Sequence, residues 1–171
     1  MIQLMKTKKY ISRLLNLVFI MVFVLFVLDA FTSFEIKNQT IKSFSYFGLM
    51  LLSPLVLFWN LRHHKTRKSK LAGSMLPILS FIVIITIGPQ KIIASSPAWK
   101  TQTVIYQNGH LSFYKVEFQM QDLGALGYNK RKVEVTYLTD LFMIVEPVQN
   151  DIDKRVEWVK VDKEINELGI K

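Results

Sequence analysis

The sequence predicts a membrane protein of mixed class. Three transmembrane helices, N-terminus inside and C-terminus outside, precede a small antiparallel β-sheet domain with one short C-terminal helix. Three observations predict it. Three apolar runs fall before residue 90, basic residues flank them unevenly, and period-two alternation begins at Thr101. The expected division is a transmembrane region at 1–90, a linker at 91–98 and an extracytoplasmic β-rich domain at 99–171.

Charge placement sets the expected orientation. Lys6, Lys8, Lys9 and Arg13 precede the first run, and Arg62, Lys65, Arg67, Lys68 and Lys70 lie between the second and third. These nine residues equal the net charge of +9. The loop after the first run balances Asp29 and Glu35 against Lys37 and Lys42, and the chain from Pro89 onward holds eleven basic and eleven acidic residues. An excess of Lys/Arg on alternate short loops marks the cytoplasmic side. So basic a chain would otherwise suggest nucleic acid. Here the basic residues are juxtamembrane, where each gains roughly 1 kcal/mol from anionic lipid. Lipid headgroups, touched by Arg62, Lys65, Arg67, Lys68 and Lys70, are the expected partners, and nucleic acid is not.

The first run extends from Ile11 to Phe31 and is apolar from Leu14 to Leu28 except at Asn16. Crossing a hydrocarbon core about 30 Å thick takes about 17–25 residues. The segment reads as a retained anchor rather than a cleaved signal, because Leu28 to Ser33 offers no small-x-small site. The second run, Phe44 to Leu61, contains Pro54, with Ser53 beside it to satisfy the freed carbonyl. Phe58 and Trp59 suit an interfacial aromatic belt. The third, Leu71 to Gly88, carries Gly73, Ser74, Pro77 and Ser80 in its first half, small residues that let helices approach closely. Ser80 and Thr86 read as packing or back-bonded hydroxyls. No Asp, Glu, Lys or Arg interrupts the core of any span, so the usual marker of an ion path is missing.

Gly88-Pro89 should end the third helix and Ser95-Ser96-Pro97 should form a linker, with Trp99 at the membrane surface or at the start of the domain. Thr101 to Gln107 and His110 to Gln121 flank Asn108-Gly109, a two-residue hairpin signal. Tyr114, Val116, Phe118 and Met120 should face one way, and Lys115, Glu117, Gln119 and Gln121 the other. Val133, Val135 and Tyr137 continue the alternation, and a turn at Thr139-Asp140 leads into Leu141 to Val145. Asn150 to Lys154 reads as a polar turn and Val156 to Val161 as a fifth strand. Asp162 should then cap a helix from Lys163 to Leu168, ended by Gly169. A domain of about 73 residues is near the lower limit for a self-sufficient core. Cysteine is absent, so no disulfide staples it, which suits a bacterial envelope protein.

Few residues suggest chemistry. The stretch Asp122 to Lys132 combines Gly124 and Gly127 with Leu123, Leu126, Tyr128 and the basic Lys130 and Arg131. Leu123, Leu126, Tyr128, Lys130 and Arg131 form the expected partner- or membrane-contact patch; the alternative is a crossover loop whose leucines plug the sheet. Asp151, Asp153 and Asp162 do not match a calcium loop, since Arg155 and Val156 stand where an oxygen ligand and a glycine belong. His110 is the sole histidine of the domain, so a multi-histidine metal site cannot form there. His110 and Ser112 could share a strand face, but lack a third group. Asn38-Gln39-Thr40 matches a glycosylation sequon but lies hard against the membrane. No catalytic residue, metal or cofactor is assigned. The expected function is that of a non-enzymatic accessory, immunity or envelope-interaction protein of the bacterial cytoplasmic membrane. Its exported domain would bind another envelope protein or a second copy. The alternative is a lipid- or envelope-modifying enzyme with its site at the outer interface.

Overall fold

The computed structural model describes residues 2–64, 66–148 and 156–170. The chain divides into two compact units, one of Met1–Val27 and Ser43–Ser96, the other of Leu28–Lys42 and Pro97–Lys171.

Helices α1 (Ile2–Phe31), α2 (Gln39–His63) and α3 (Arg67–Ile87) are long and apolar enough to cross a membrane. A short fourth helix, α4 (Pro89–Ser95), occupies part of the expected linker. Gly88, at φ +90°, breaks the run as expected, but Pro89 then stands in the first helical turn, where its missing N–H costs nothing. In the helical unit Phe19, Val22 and Phe26 of α1 pack against Tyr46, Leu49 and Val56 of α2, with Ile84 and Ile92 completing the cluster. Gly48 makes this approach possible, since a Cβ there would come within 3.3 Å of Val22. Leu14, Leu51, Leu71 and Ile85 point outward and are exposed.

Prolines shape the polar bonding between helices. Pro77 has no N–H to donate to the Gly73 carbonyl, one turn earlier in α3. Asn60 of α2, fully buried, fills the gap with an Nδ2–H donated to Gly73 O at 2.7 Å. Its second Nδ2–H reaches Asn16 Oδ1 at 2.9 Å, and Asn16 Nδ2 returns a bond to Asn60 Oδ1 at 3.1 Å. Asn16 also donates to Ser12 O at 2.7 Å, so each amide nitrogen spends both hydrogens. A Cβ on Gly73 would lie 3.2 Å from Asn60 Nδ2 and from His64 Nε2, so that glycine makes room for the amide. Ser80 and Thr86 are back-bonded, to Leu76 O at 2.9 Å and Ile82 O at 2.7 Å. Ser53 bonds Leu49 O rather than the Met50 carbonyl that Pro54 frees.

The second unit is a six-stranded antiparallel sheet of β1 (Phe34–Ile36), β2 (Lys100–Asn108), β3 (Tyr114–Asp122), β4 (Tyr128–Tyr137), β5 (Phe142–Pro147) and β6 (Trp158–Glu164), in the order β1-β5-β4-β3-β2-β6. The additional strand is β1, from the segment between the first two apolar helices. Phe34 pairs with Ile144 and Ile36 with Phe142. Three residues are too few to display alternation, and their neighbours in sequence are helical.

Three local expectations are corrected. Asn108-Gly109 does not make a two-residue turn: neither residue has positive φ, and β3 starts only at Tyr114. Asn108 Oδ1 instead accepts from the backbone N–H groups of His110 and Leu111, both at 3.0 Å, and this Asx bonding opens a longer loop. The expected helix from Lys163 to Leu168 is absent, because β6 runs through Glu164 along β2. Ile165 and Asn166 then bond Gln102 O. Asp162, the expected cap, lies within β6 at φ +43°. The expected turn Asn150 to Lys154 lies outside the described residues.

Replacing Asn60 by leucine would leave the Gly73 carbonyl and the Asn16 amide without their partner. Asn60→Leu should destabilise the detergent-solubilised protein by about 1–2 kcal/mol, read as thermal unfolding followed by circular dichroism. Thr86→Val, which removes an exposed local bond, should leave the midpoint unchanged.

Candidate functional site

The alternation expected on β3 is present, but the polar side is buried as well, opposite an apolar side on which Val116 is fully buried. Glu117 is 1% exposed and Gln119 0%, whereas Phe118 and Met120 on the other side are only half-buried. A buried carboxylate survives only when hydrogen-bonded. Glu117 has its donors: Thr101 Oγ1 at 2.8 Å and Gln119 Nε2 at 3.0 Å to Oε2, and the Tyr137 hydroxyl at 2.8 and 2.9 Å to the two oxygens.

The network extends in both directions. Gln119 Oε1 accepts from Arg131, whose guanidinium forms a two-pronged pair with Glu35 of β1 at 2.7 and 2.6 Å. That guanidinium also lies 4.0 Å from the centre of the Trp99 ring, and Trp99 packs on Val133, Val135 and Met143. Toward the other end, Lys37 Nζ donates to the Tyr137 hydroxyl at 3.1 Å and pairs with Glu167 at 3.0 Å. The same short segment is tied to itself by Asp29, which accepts from Ile36 N at 2.6 Å and pairs with buried Lys42 at 3.1 Å. All four charges that the sequence balances between the first two helices are thus placed in ion pairs.

Two protonation equilibria shift. Burial and the Glu117 carboxylate push the Tyr137 phenol up to about 12, against opposition from Thr101 and Lys37. Burial works to lower Lys37, but Tyr137 and Glu167 outweigh it and hold the ammonium above its ordinary value. Tyr137 is therefore a neutral donor, and Glu117 accepts from three side chains.

These residues form one wall of an open cleft of about 500 Å³. Lys37, Thr101, Glu117, Tyr137 and Glu167 line it with Lys115, Ser112, Phe113 and Asp140. The sequence reading missed this cleft. Its side chains come from five separated stretches, and the polar alternation that marks its central strand looks like a solvated face.

The expected contact patch is partly divided. Gly124–Leu126 forms a 3-10 turn between glycines at φ +63° and +87°, closed by Leu123 N bonding Gly127 O. The turn joins adjacent strands β3 and β4, and Leu126 is 81% exposed. Tyr128 and Lys130 are exposed and project to one side of β4, while Arg131 projects to the other, into the network. Leu123 is half-buried.

Of the expected lipid contacts, Arg62 is exposed at the end of α2 and Arg67 and Lys68 are exposed in the first turn of α3. Lys70 is half-buried, and Lys65 lies outside the described residues. His110 and Ser112 fall in the β2–β3 loop rather than on a strand. Asn38 of the sequon accepts from Ile41 N at 3.1 Å and so serves as the N-cap of α2. Asp151 and Asp153 are outside the described residues. In comparisons with known proteins the chain matches no family model, no curated protein and no solved structure.

The raised phenol gives a pH signature. The unfolded chain loses the tyrosine proton near pH 10, whereas the folded chain keeps it to about pH 12. The contribution of Tyr137 to stability is complete below about pH 10 and declines as pH rises through that window. Tyr137→Phe should cost about 1–3 kcal/mol at neutral pH, where Glu117 loses a donor. Its deficit against the parent should shrink between about pH 10 and 12. Parallel alkaline unfolding curves for the two proteins would show that other groups govern the decline.

Proposed function

We propose that this chain is a multi-pass protein of the bacterial cytoplasmic membrane that acts through protein contact rather than catalysis. Its N-terminus is cytoplasmic and its sheet domain extracytoplasmic. The basic residues of the α2–α3 connection rest on anionic headgroups, and the exported sheet serves an accessory, immunity or envelope-interaction role. The nine-to-two Lys/Arg bias between the flanking segments supports the orientation.

The observation that carries the contact reading is the exposure of Leu126. A large apolar side chain 81% exposed on a turn braced by two left-handed glycines is a rigid presentation of apolar surface. Tyr128 and Lys130 extend it along β4. The alternative, an interfacial enzyme, draws on the cleft. There, however, the carboxylate already accepts from three internal donors and the phenol is held neutral, arrangements that suit holding a ligand better than moving its protons.

The absence of cysteine makes orientation directly testable. In intact cells a membrane-impermeant maleimide should label Lys163→Cys, while Lys68→Cys should react only after permeabilisation. The reverse pattern would overturn the topology. For the contact surface, a photocrosslinking residue in place of Leu126 should give a discrete protein adduct in cells, and one in place of Lys163 should not. Leu126→Asp should leave the unfolding midpoint within about 0.5 kcal/mol of the parent and lower the yield of that adduct when the crosslinker is placed at Tyr128. An unfolded Leu126→Asp protein would return the loop to a purely structural role, and adducts to lipid alone would make it a membrane contact and overturn the protein-contact reading.

A further inference from the structure

We propose that the cleft between Tyr137, Lys115 and Asp140 binds a small zwitterion, a molecule carrying an ammonium and an anionic group. The site goes beyond the contact reading above and does not depend on orientation in the membrane.

Internal partners occupy most of the charged groups in the cleft. Lys37 is shared between Glu167 and the Tyr137 hydroxyl, and Glu117 takes its donors from Thr101, Gln119 and Tyr137. Two groups of opposite sign are left over. The Lys115 ammonium lies 5.4 Å from the centre of the Tyr137 ring and, among the described residues, has no ion pair. The Asp140 carboxylate, in the exposed turn between β4 and β5, likewise has none among them. Both line the same cavity, with the Ser112 hydroxyl beside them and Val104, Phe113 and Ile165 as its apolar surface.

The charge balance selects the ligand. The lining carries two lysines against three carboxylates, so a simple anion meets net repulsion, while a simple cation finds Lys115 unanswered. A zwitterion answers both leftover groups at once. Ligand sites commonly measure about 300–1,000 Å³, and a cleft of about 500 Å³ admits a dipeptide or a phosphoethanolamine headgroup. The wall is also preorganised. Glu117 and Tyr137 hold each other in place before any ligand arrives, which lowers the ordering cost of binding.

Titration calorimetry on the full chain in detergent micelles tests the assignment. The probes are alanyl-phenylalanine, its N-acetyl derivative, its C-terminal amide, and glycerophosphoethanolamine. A zwitterionic probe should bind saturably, and each derivative lacking one charge at least about tenfold more weakly. Lys115→Met should remove the penalty for the amide, and Asp140→Asn the penalty for the acetylated form. Lys115→Gln and Asp140→Ser replace these variants if either fails to fold. Preference for the dipeptide identifies a free amino-acid or peptide ligand, and preference for glycerophosphoethanolamine a lipid headgroup; either supports the site if it depends on Lys115 and Asp140. The proposal fails if no probe saturates, if the singly charged derivatives bind as well as the zwitterions, or if the variants bind unchanged.

Discussion

Glu117 is a carboxylate in the middle of the central strand with almost no access to water. Leaving such a group unpaired would cost several kcal/mol, so its neighbours have to be donors. Thr101 on β2, Gln119 on β3 and Tyr137 on β4 are those donors. Each in turn needs its own place: Tyr137 answers Lys37, and Gln119 answers Arg131 and through it Glu35. One buried charge thereby draws β1, β2, β3, β4 and the C-terminal Glu167 into a single bonded system. The hydrophobic clusters beside it are small, Val133, Val135 and Met143 on one and Tyr106, Val116 and Trp158 on the other. In a sheet with so little apolar core, a polar network that is satisfied at every member specifies register as well as adding stability.

The helical unit solves a related problem on a smaller scale. Pro77 leaves a carbonyl without its helical donor, and there an asparagine from each of the two other long helices converges. Amide groups are suited to this because they carry donors and an acceptor without charge, so no desolvated ion results. Gly73 belongs to the same device, since any larger residue would push the Asn60 amide away from the carbonyl it serves.

The surfaces left outside these networks differ in kind. The turn at Leu126 presents an apolar side chain on a hydrogen-bonded turn, and the cleft presents the Lys115 ammonium and the Asp140 carboxylate, neither in an ion pair among the described residues, beside the Tyr137 phenol. The first is suited to a broad contact and the second to a small polar molecule. Arg131 shows why adjacency in sequence misleads about such surfaces. It follows Lys130 in a basic run, yet the strand pleat sends the two to opposite faces, Lys130 exposed and Arg131 into the ion pair with Glu35.

What the sequence by itself determined was whatever local periodicity encodes. Three runs of continuous apolarity specify long apolar helices, and alternation from Thr101 onward specifies the strands β2 to β5, because helix and strand repeat their side chains at 3.6 and 2 residues. Only the tertiary structure decided that the polar face of β3 is buried, since alternation distinguishes two faces without saying which of them water reaches. It also decided the role of Phe34–Ile36, whose partner Phe142–Ile144 lies more than a hundred residues away. Asp162 lies within a strand because Lys160 and Lys163 on either side of it pair with β2, leaving it at an irregularity of the ladder rather than at a helix start. The cleft, too, is a tertiary product: Lys37, Lys115, Tyr137, Asp140 and Glu167 meet only after the sheet has formed. Each of these outcomes depends on contacts between distant residues, and a polar side chain carries no local mark of whether its future partner is water or another side chain.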